Sequence, residues 1–276
     1  MGAPTFVART QVFYDSTSTT TIDTSTGLDI QAGDFLWFSG EWPTLLTCTF
    51  GDTDGSTNMG TSLGWNYNGS ATYVFQVGYK AQATAKTGAL FRMTMSSAVT
   101  TARFFVEQWR PASGQTLALD GSAGSSPVGN RATSTAVLSD ARDITGEALA
   151  FAFGVHSGAD VTRSSPVIGG VTADYTGHQS GGSPWMWVMS AYIPSSVTSA
   201  TASLTLSASR AWGITYYAFL ISGTSSTEQP ATCDAISVTA EVGESTGYQE
   251  QVTGTNDVTL GGGTGTTRVS FGWVRQ

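Results

Sequence analysis

The chain has 276 residues, 40% of them hydrophobic, 11% aromatic and only 12% charged. That apolar content excludes a disordered chain despite 33 glycines, because each buried Phe, Leu or Val contributes roughly 1.5–3 kcal/mol. A net charge of −8, with lysine only at Lys80 and Lys86 and the arginines scattered, excludes a nucleic-acid grip, which needs clustered cations against phosphate.

At the start, Met1-Gly2-Ala3-Pro4 lacks the cationic and apolar run of a secretory signal. Pro4 and Phe6 disfavour myristoylation, and no 18 apolar residues run together. A chain made and folded in a cytoplasm, with no membrane partner, is expected. Period-2 alternation then predicts strands at Phe6–Tyr14, Asp34–Ser39, Leu45–Phe50, Tyr73–Tyr79, Ala89–Met95 and Arg103–Trp109. Asp54-Gly55 and Asn68-Gly69 punctuate them as turns. Pro111–Asn130 is rich in Gly and Ser and reads as a surface crossover. Further strands are predicted at Thr133–Leu138, Ala148–Phe153, Trp185–Tyr192, Ala202–Ala208 and Ile214–Ile221.

An internal repeat links the two sets. Gly33 and Gly146 lie 113 residues apart, and the same offset carries Leu36 to Leu149, Phe38 to Phe151, Tyr79 to Tyr192 and Phe91 to Leu204. It also carries Phe104 and Val106 to Tyr217 and Phe219. A one-residue slip inverts every side chain of a strand, so a single offset predicts matching faces throughout. The expected fold is all-β: a jelly-roll-like double-sheet β-sandwich over 1–222, with similar halves at about 1–110 and 131–222. Gly223–Thr232 reads as a boundary. Beyond it, alternation at Ile236–Val242, Val258–Leu260 and Val269–Trp273 predicts a small C-terminal β extension over 223–276. That extension has too few apolar residues to fold alone, so it is expected to pack on the sandwich or a neighbouring subunit.

No constellation for catalysis emerges. His156 and His178, the only histidines, read as loop residues, and no G-x-S-x-G elbow accompanies them. The seven glutamates show no spacing for a glycosidase pair. Gly261-Gly262-Gly263-Thr264-Gly265 lacks the Lys and Ser/Thr of a phosphate loop. No catalytic residue and no cofactor are expected. In the loop 51–58, Asp52, Asp54 and Asn58 offer oxygens to calcium, but the distal Glu of an EF-hand is missing; a plain hairpin loop is the preferred reading. Trp37, Trp185 and Trp187 sit in apolar runs and are expected in the core. Trp42, Trp65 and Trp109 lie near strand ends and are the candidates for exposure and glycan contact. Cys48 and Cys233 have no metal-site spacing; one long-range disulfide is open to them, and two buried thiols are the preferred reading. With two lysines to protect strand edges, the edges are expected to be covered by self-assembly or docking.

The opening Ala3-Pro4-Thr5-Phe6-Val7-Ala8, the segment Ile30-Gln31-Ala32-Gly33-Asp34-Phe35-Leu36, the pair Tyr79-Lys80 and the run Thr94-Met95-Ser96-Ser97-Ala98 resemble β-sandwich minor tail proteins of tailed bacteriophages. Ala132–Ala136 and Leu204–Ser209 are similar to that family's second half. The resemblance covers about residues 3–222 and is a pattern of strands and turns. It implies a non-enzymatic virion surface protein, either a minor tail or a head-decoration protein, bound to other capsid or tail proteins and forming a homo-oligomer. The alternatives are a host-recognition module that binds cell-surface glycan and, well behind it, a β-sandwich hydrolase.

Overall fold

The computed structural model describes residues 2–43, 46–54, 57–67, 74–121, 128–178, 185–223, 257–260 and 267–270; at 15–17, 64–67, 128–131, 175–178, 257–260 and 267–270 it describes the backbone alone. Among these residues there is no α-helix. Two compact units divide the chain, Met1–Gln229 and Pro230–Gln276.

Within the first unit, the first half supplies β1 (Thr5–Asp23), β2 (Leu28–Ile30), β3 (Phe35–Trp42), β4 (Cys48–Asp52), β5 (Thr61–Tyr67), β6 (Val74–Lys80), β7 (Lys86–Ala89) and β8 (Phe91–Arg110). The second supplies β9 (Gln115–Leu119), β10 (Val128–Leu138), β11 (Arg142–Asp143), β12 (Ala148–His156), β13 (Arg163–Ile168), β14 (Val171–Thr172), β15 (Asp174–His178), β16 (Trp185–Ile193), β17 (Ser199–Ala200) and β18 (Ala202–Gly223). The described part of the second unit is an antiparallel pair, β19 (Asp257–Leu260) and β20 (Thr267–Ser270); the predicted strand at 236–242 and the residues Phe271 and Trp273 lie outside the described residues.

The same pairing scheme occurs twice. One sheet runs β1-β8-β3-β6-β5 with β4 also on β8; the other carries β18-β12-β16-β15, with β9, β10 and β13 all on β18. Small ribbons, β2 with β7 and β11 with β17, complete the halves. The stretch 111–130 is thus more than a crossover, because β9 ladders Leu119 to Phe219 and so joins the second sheet. Together β9 and β10 occupy the place that β1 fills with one continuous strand.

Two predicted strands fuse into one in each half: 89–95 with 103–109 into β8, and 202–208 with 214–221 into β18. Thirteen residues of straight strand span roughly 43 Å. Yet Phe91 and Phe104 lie 5.9 and 6.4 Å from the ring of Phe38. The strand must therefore bend back over its own half. It closes a core in which Leu36, Phe38, Phe104 and Val106 face Ile22, Leu28, Phe50 and Met93. β18 does the same for Leu204, Leu206, Ile214 and Tyr216, against Trp187, Met189 and Ala150.

A third apolar layer joins the halves. Phe35, Trp37, Phe75, Val77 and Phe105 of the first half meet Leu149, Phe151, Phe153, Val188, Tyr217 and Phe219 of the second. Trp37 stacks on Phe151 at 4.7 Å and 9°. β12 shows how one strand serves two layers: Ala148, Ala150 and Ala152 point into its own half, and Leu149, Phe151 and Phe153 into the shared layer. A Cβ on Gly154 would fall 2.3 Å from the Trp187 ring, so the indole packs directly on bare backbone.

The offset of 113 does not preserve faces across the whole repeat. It equates Leu36 and Phe38, in the first half's own core, with Leu149 and Phe151 in the shared layer. The faces agree at 112 instead: Leu36, laddered to Lys80 and Gln108, then corresponds to Ala148, laddered to Ile193 and Leu220. Likewise Phe104 and Val106 correspond to Tyr216 and Ala218, not to Tyr217 and Phe219. Early in β8 and β18, where Phe91 and Met93 match Leu204 and Leu206, 113 holds. β18 therefore carries one residue fewer than β8 between these points.

Candidate functional site

The loop after β4 has acidic residues because Asp52 closes the strand and Asp54 follows in the turn. Lys86 lies across them, with its Nζ donating to Asp52 Oδ2 at 3.3 Å and also to Asp54. Asp52 Oδ1 accepts from Thr57 N at 3.3 Å. Asn58 is fully buried and spends its amide on Thr84, accepting from its N at 2.8 Å and donating to its O at 3.3 Å. The calcium candidates are thus already engaged: the Lys86 ammonium bonds both Asp52 and Asp54, and Asn58 is committed to Thr84. Among the described residues no three His, Cys, Asp or Glu gather into a metal cluster.

The expectation of exposed tryptophans fails at two positions. Trp42 is 0% exposed in the first half's own core, and Trp109 is 5% exposed in the layer between the halves. A strand's terminal residue is still buried where a second sheet overhangs it, and sequence position alone cannot show the overhang. Trp65 lies on β5 with its side chain outside the described residues. Trp37, Trp185 and Trp187 are buried as expected.

His156 is also no loop residue, because it closes β12 and is fully buried. Arg163 Nη2 donates to His156 Nε2 at 2.7 Å, so the ring proton belongs on Nδ1, which faces Ser157 O at 3.1 Å. The ring stacks beside Trp185, and Arg163 lies over both Trp185 and Trp187. Burial, with Arg163 adding to it, pushes the imidazole down to about 4. At neutral pH this is a neutral histidine held as a structural acceptor. His178 closes β15, with its side chain outside the described residues. Cys48 is a free, buried thiol whose pKa burial raises well above the usual value; Cys233 lies outside the described residues.

A concavity lies on the seam between the halves. Phe6, Arg9, Trp109, Asp174 and Ser190 line a pocket of about 320 Å³. Two cross-strand pairs build it: Arg9 opposite Glu107 on β1 and β8, and Asp174 opposite Ser190 on β15 and β16. Arg9 donates through Nε to Glu107 Oε1 at 3.0 Å and again through Nη2. Trp109 Nε1 reaches Glu107 Oε2 at 3.3 Å. Phe6 is 43% exposed, packs edge-on against Trp109 at 5.4 Å and lies under the Arg9 guanidinium. Burial raises the Glu107 carboxyl and Arg9 opposes that. Glu107 is sealed below the pocket and cannot serve as an acid or base for a ligand in it. What remains is an exposed aromatic, a guanidinium and a carboxylate. That suits reversible binding of one ring-sized polar ligand. Sequence reading missed Phe6, Arg9, Asp174 and Ser190, which meet only through pairing between distant strands.

Comparison with known protein families, curated proteins and solved structures finds no match for this chain.

Proposed function

We propose that this protein is a non-enzymatic structural component exposed on a tailed-phage particle, either a minor tail or a head-decoration protein. The observation that carries the reading is how its buried ionisable groups are used. Asp34 accepts from Gln31 N, Gln108 Nε2 and Arg110 Nε and Nη2. Glu41 pairs with Arg103 at 2.7 Å, Glu107 with Arg9, and His156 with Arg163. Each brace ties a strand, or the corner leading into one, to another strand; Arg9 edges the seam pocket, and Asp34 and Arg110 line a second concavity, but in each the acid is committed to its arginine. The family-like segment Ala32-Gly33-Asp34 is such a brace: Gly33 takes φ +90° at the corner into β3 and Asp34 fastens that corner to β8. The resemblance therefore rests on architecture, as a scaffold protein's would. Immunogold labelling of intact particles tests the reading. Label on head or tail is expected, and unlabelled particles from producing cells overturn it.

A second reading, a glycan-binding module, draws on the seam pocket and not on the tryptophans. A glycan array probed with the native chain and with Phe6→Ala separates the two, since only a lectin-like site loses a defined ligand on that change.

A further inference from the structure

We propose that two copies of this chain pair edge to edge through β1, in antiparallel register centred on Val12. This deepens the assembly role proposed above.

β1 is 19 residues long and ends its sheet; among the described residues it ladders only with β8. Its register to β8 shifts between Phe6 and Ala8 and again between Asp15 and Thr19. Between these irregularities, Ala8–Asp15 is an unbroken eight-residue ladder, a continuous edge of the kind that templates a further strand. Its sequence, Ala-Arg-Thr-Gln-Val-Phe-Tyr-Asp, holds no Gly, Pro or Lys. Proline and lysine are the residues that most often block edge pairing.

A second copy is the occupant that this sequence fits. A two-fold axis normal to a sheet keeps faces, so opposite residues must share a face and the axis must pass through a residue position. Centring on Val12 sets Arg9 opposite Asp15 of the other copy, twice per dimer, with Thr10 opposite Tyr14 and Gln11 opposite Phe13. Centring on Gln11 sets Arg9 opposite Phe13 and Asp15 opposite Val7. Centring on Phe13 sets Arg9 opposite Thr17 and Asp15 opposite Gln11. Only the Val12 register sets Arg9 and Asp15 opposite each other. Two donors of Arg9 go to Glu107 on the β8 side, of the five that a guanidinium carries.

The matching edge of the second half does not compete. There the strand is divided into β9 and β10, and β10 has Gly129 and Asn130, both poor strand formers. Its only charged residue is Arg131, so no two-fold register gives that residue an acidic partner. A self-complementary edge makes an isologous contact, which closes at two copies.

Sedimentation equilibrium of the full chain should give 57.4 kDa, twice the 28.7 kDa of one chain. Asp15→Arg places arginines opposite each other at both ends and should raise the dimer Kd about tenfold. Val12→Cys, in a Cys233→Ser background, brings two thiols together on the axis at a Cα separation of roughly 4.5–5.5 Å, within disulfide reach. It should yield a covalent dimer on mild oxidation. A native chain that stays monomeric overturns the proposal, as does a dimer that keeps its affinity with Asp15→Arg and fails to cross-link through Val12→Cys. Either result leaves the particle-labelling test of the structural role untouched.

Discussion

Exchanging His156 for glutamine changes how stability depends on pH. In the folded chain the imidazole is held neutral, with its pKa near 4, whereas in the unfolded chain it titrates near the usual value of about 6.5. Between those values the unfolded state binds more protons, so stability rises with pH through that window and is lost on acidification. The full gap of about 2.5 units is worth about 3.4 kcal/mol, and at pH 5 the loss is about 2 kcal/mol. The cause is visible in the geometry: the ring is fully buried, which disfavours its charged form, and a protonated ring would also set a second cation against the Arg163 nitrogen 2.7 Å away. Glu41 pulls the opposite way. Burial raises its pKa to about 7 against the pull of Arg103, so its contribution is present in acid and is lost as pH rises through about 7. Because H156Q retains Glu41, that contribution cancels in the difference between the two proteins. Urea unfolding followed by tryptophan fluorescence at pH 7 and pH 5 measures that difference. The native chain should lose about 2 kcal/mol more than H156Q on acidification. Equal losses would refute the assignment of a buried, neutral histidine.

Three further outcomes follow from the packing and the charges. Gly154→Ala should destabilise by about 1–3 kcal/mol in urea, since the added methyl must displace the Trp187 ring; unchanged stability would mean that the indole is free to move. In a Cys233→Ser chain, Cys48 should resist maleimide until urea unfolds the protein, because the thiolate is the reactive form and burial suppresses it; fast native labelling would contradict the closed first core. Millimolar calcium should leave the thermal midpoint unchanged, and a rise of several degrees would contradict Lys86 as the counter-ion of Asp52 and Asp54.

The main strands were legible because one-sided burial writes a period of two, as along Phe91, Met93 and Met95. The fusion of β8 was not. The residues between its two apolar runs, Ser96 to Ala102, form strand as readily as turn, and only the core they wrap decides between them. Facing was lost in β3 and β12 for a different reason. Both are buried on each side, and a strand buried on each side reads as one apolar run. Leu36-Trp37-Phe38 and Leu149-Ala150-Phe151 therefore align by composition one residue away from their structural match. β13 escaped detection because Pro166 and a positive φ at Ser165 interrupt it. The seam pocket was illegible because it sets Phe6 and Arg9 of β1 beside Asp174 and Ser190, more than 150 residues further along the sequence, an arrangement that no local pattern encodes.

The account depends most on the aromatic layer that makes one rigid piece of two repeats. Scanning calorimetry of the full chain with Phe151→Ala tests it directly, because that ring meets Phe35, Trp37 and Trp109 across the seam and its loss should cost about 3–5 kcal/mol. A single transition for the sandwich unit, shifted down as a whole, is predicted. Two transitions, of which only the second half's moves, would show that the halves melt independently and would contradict it.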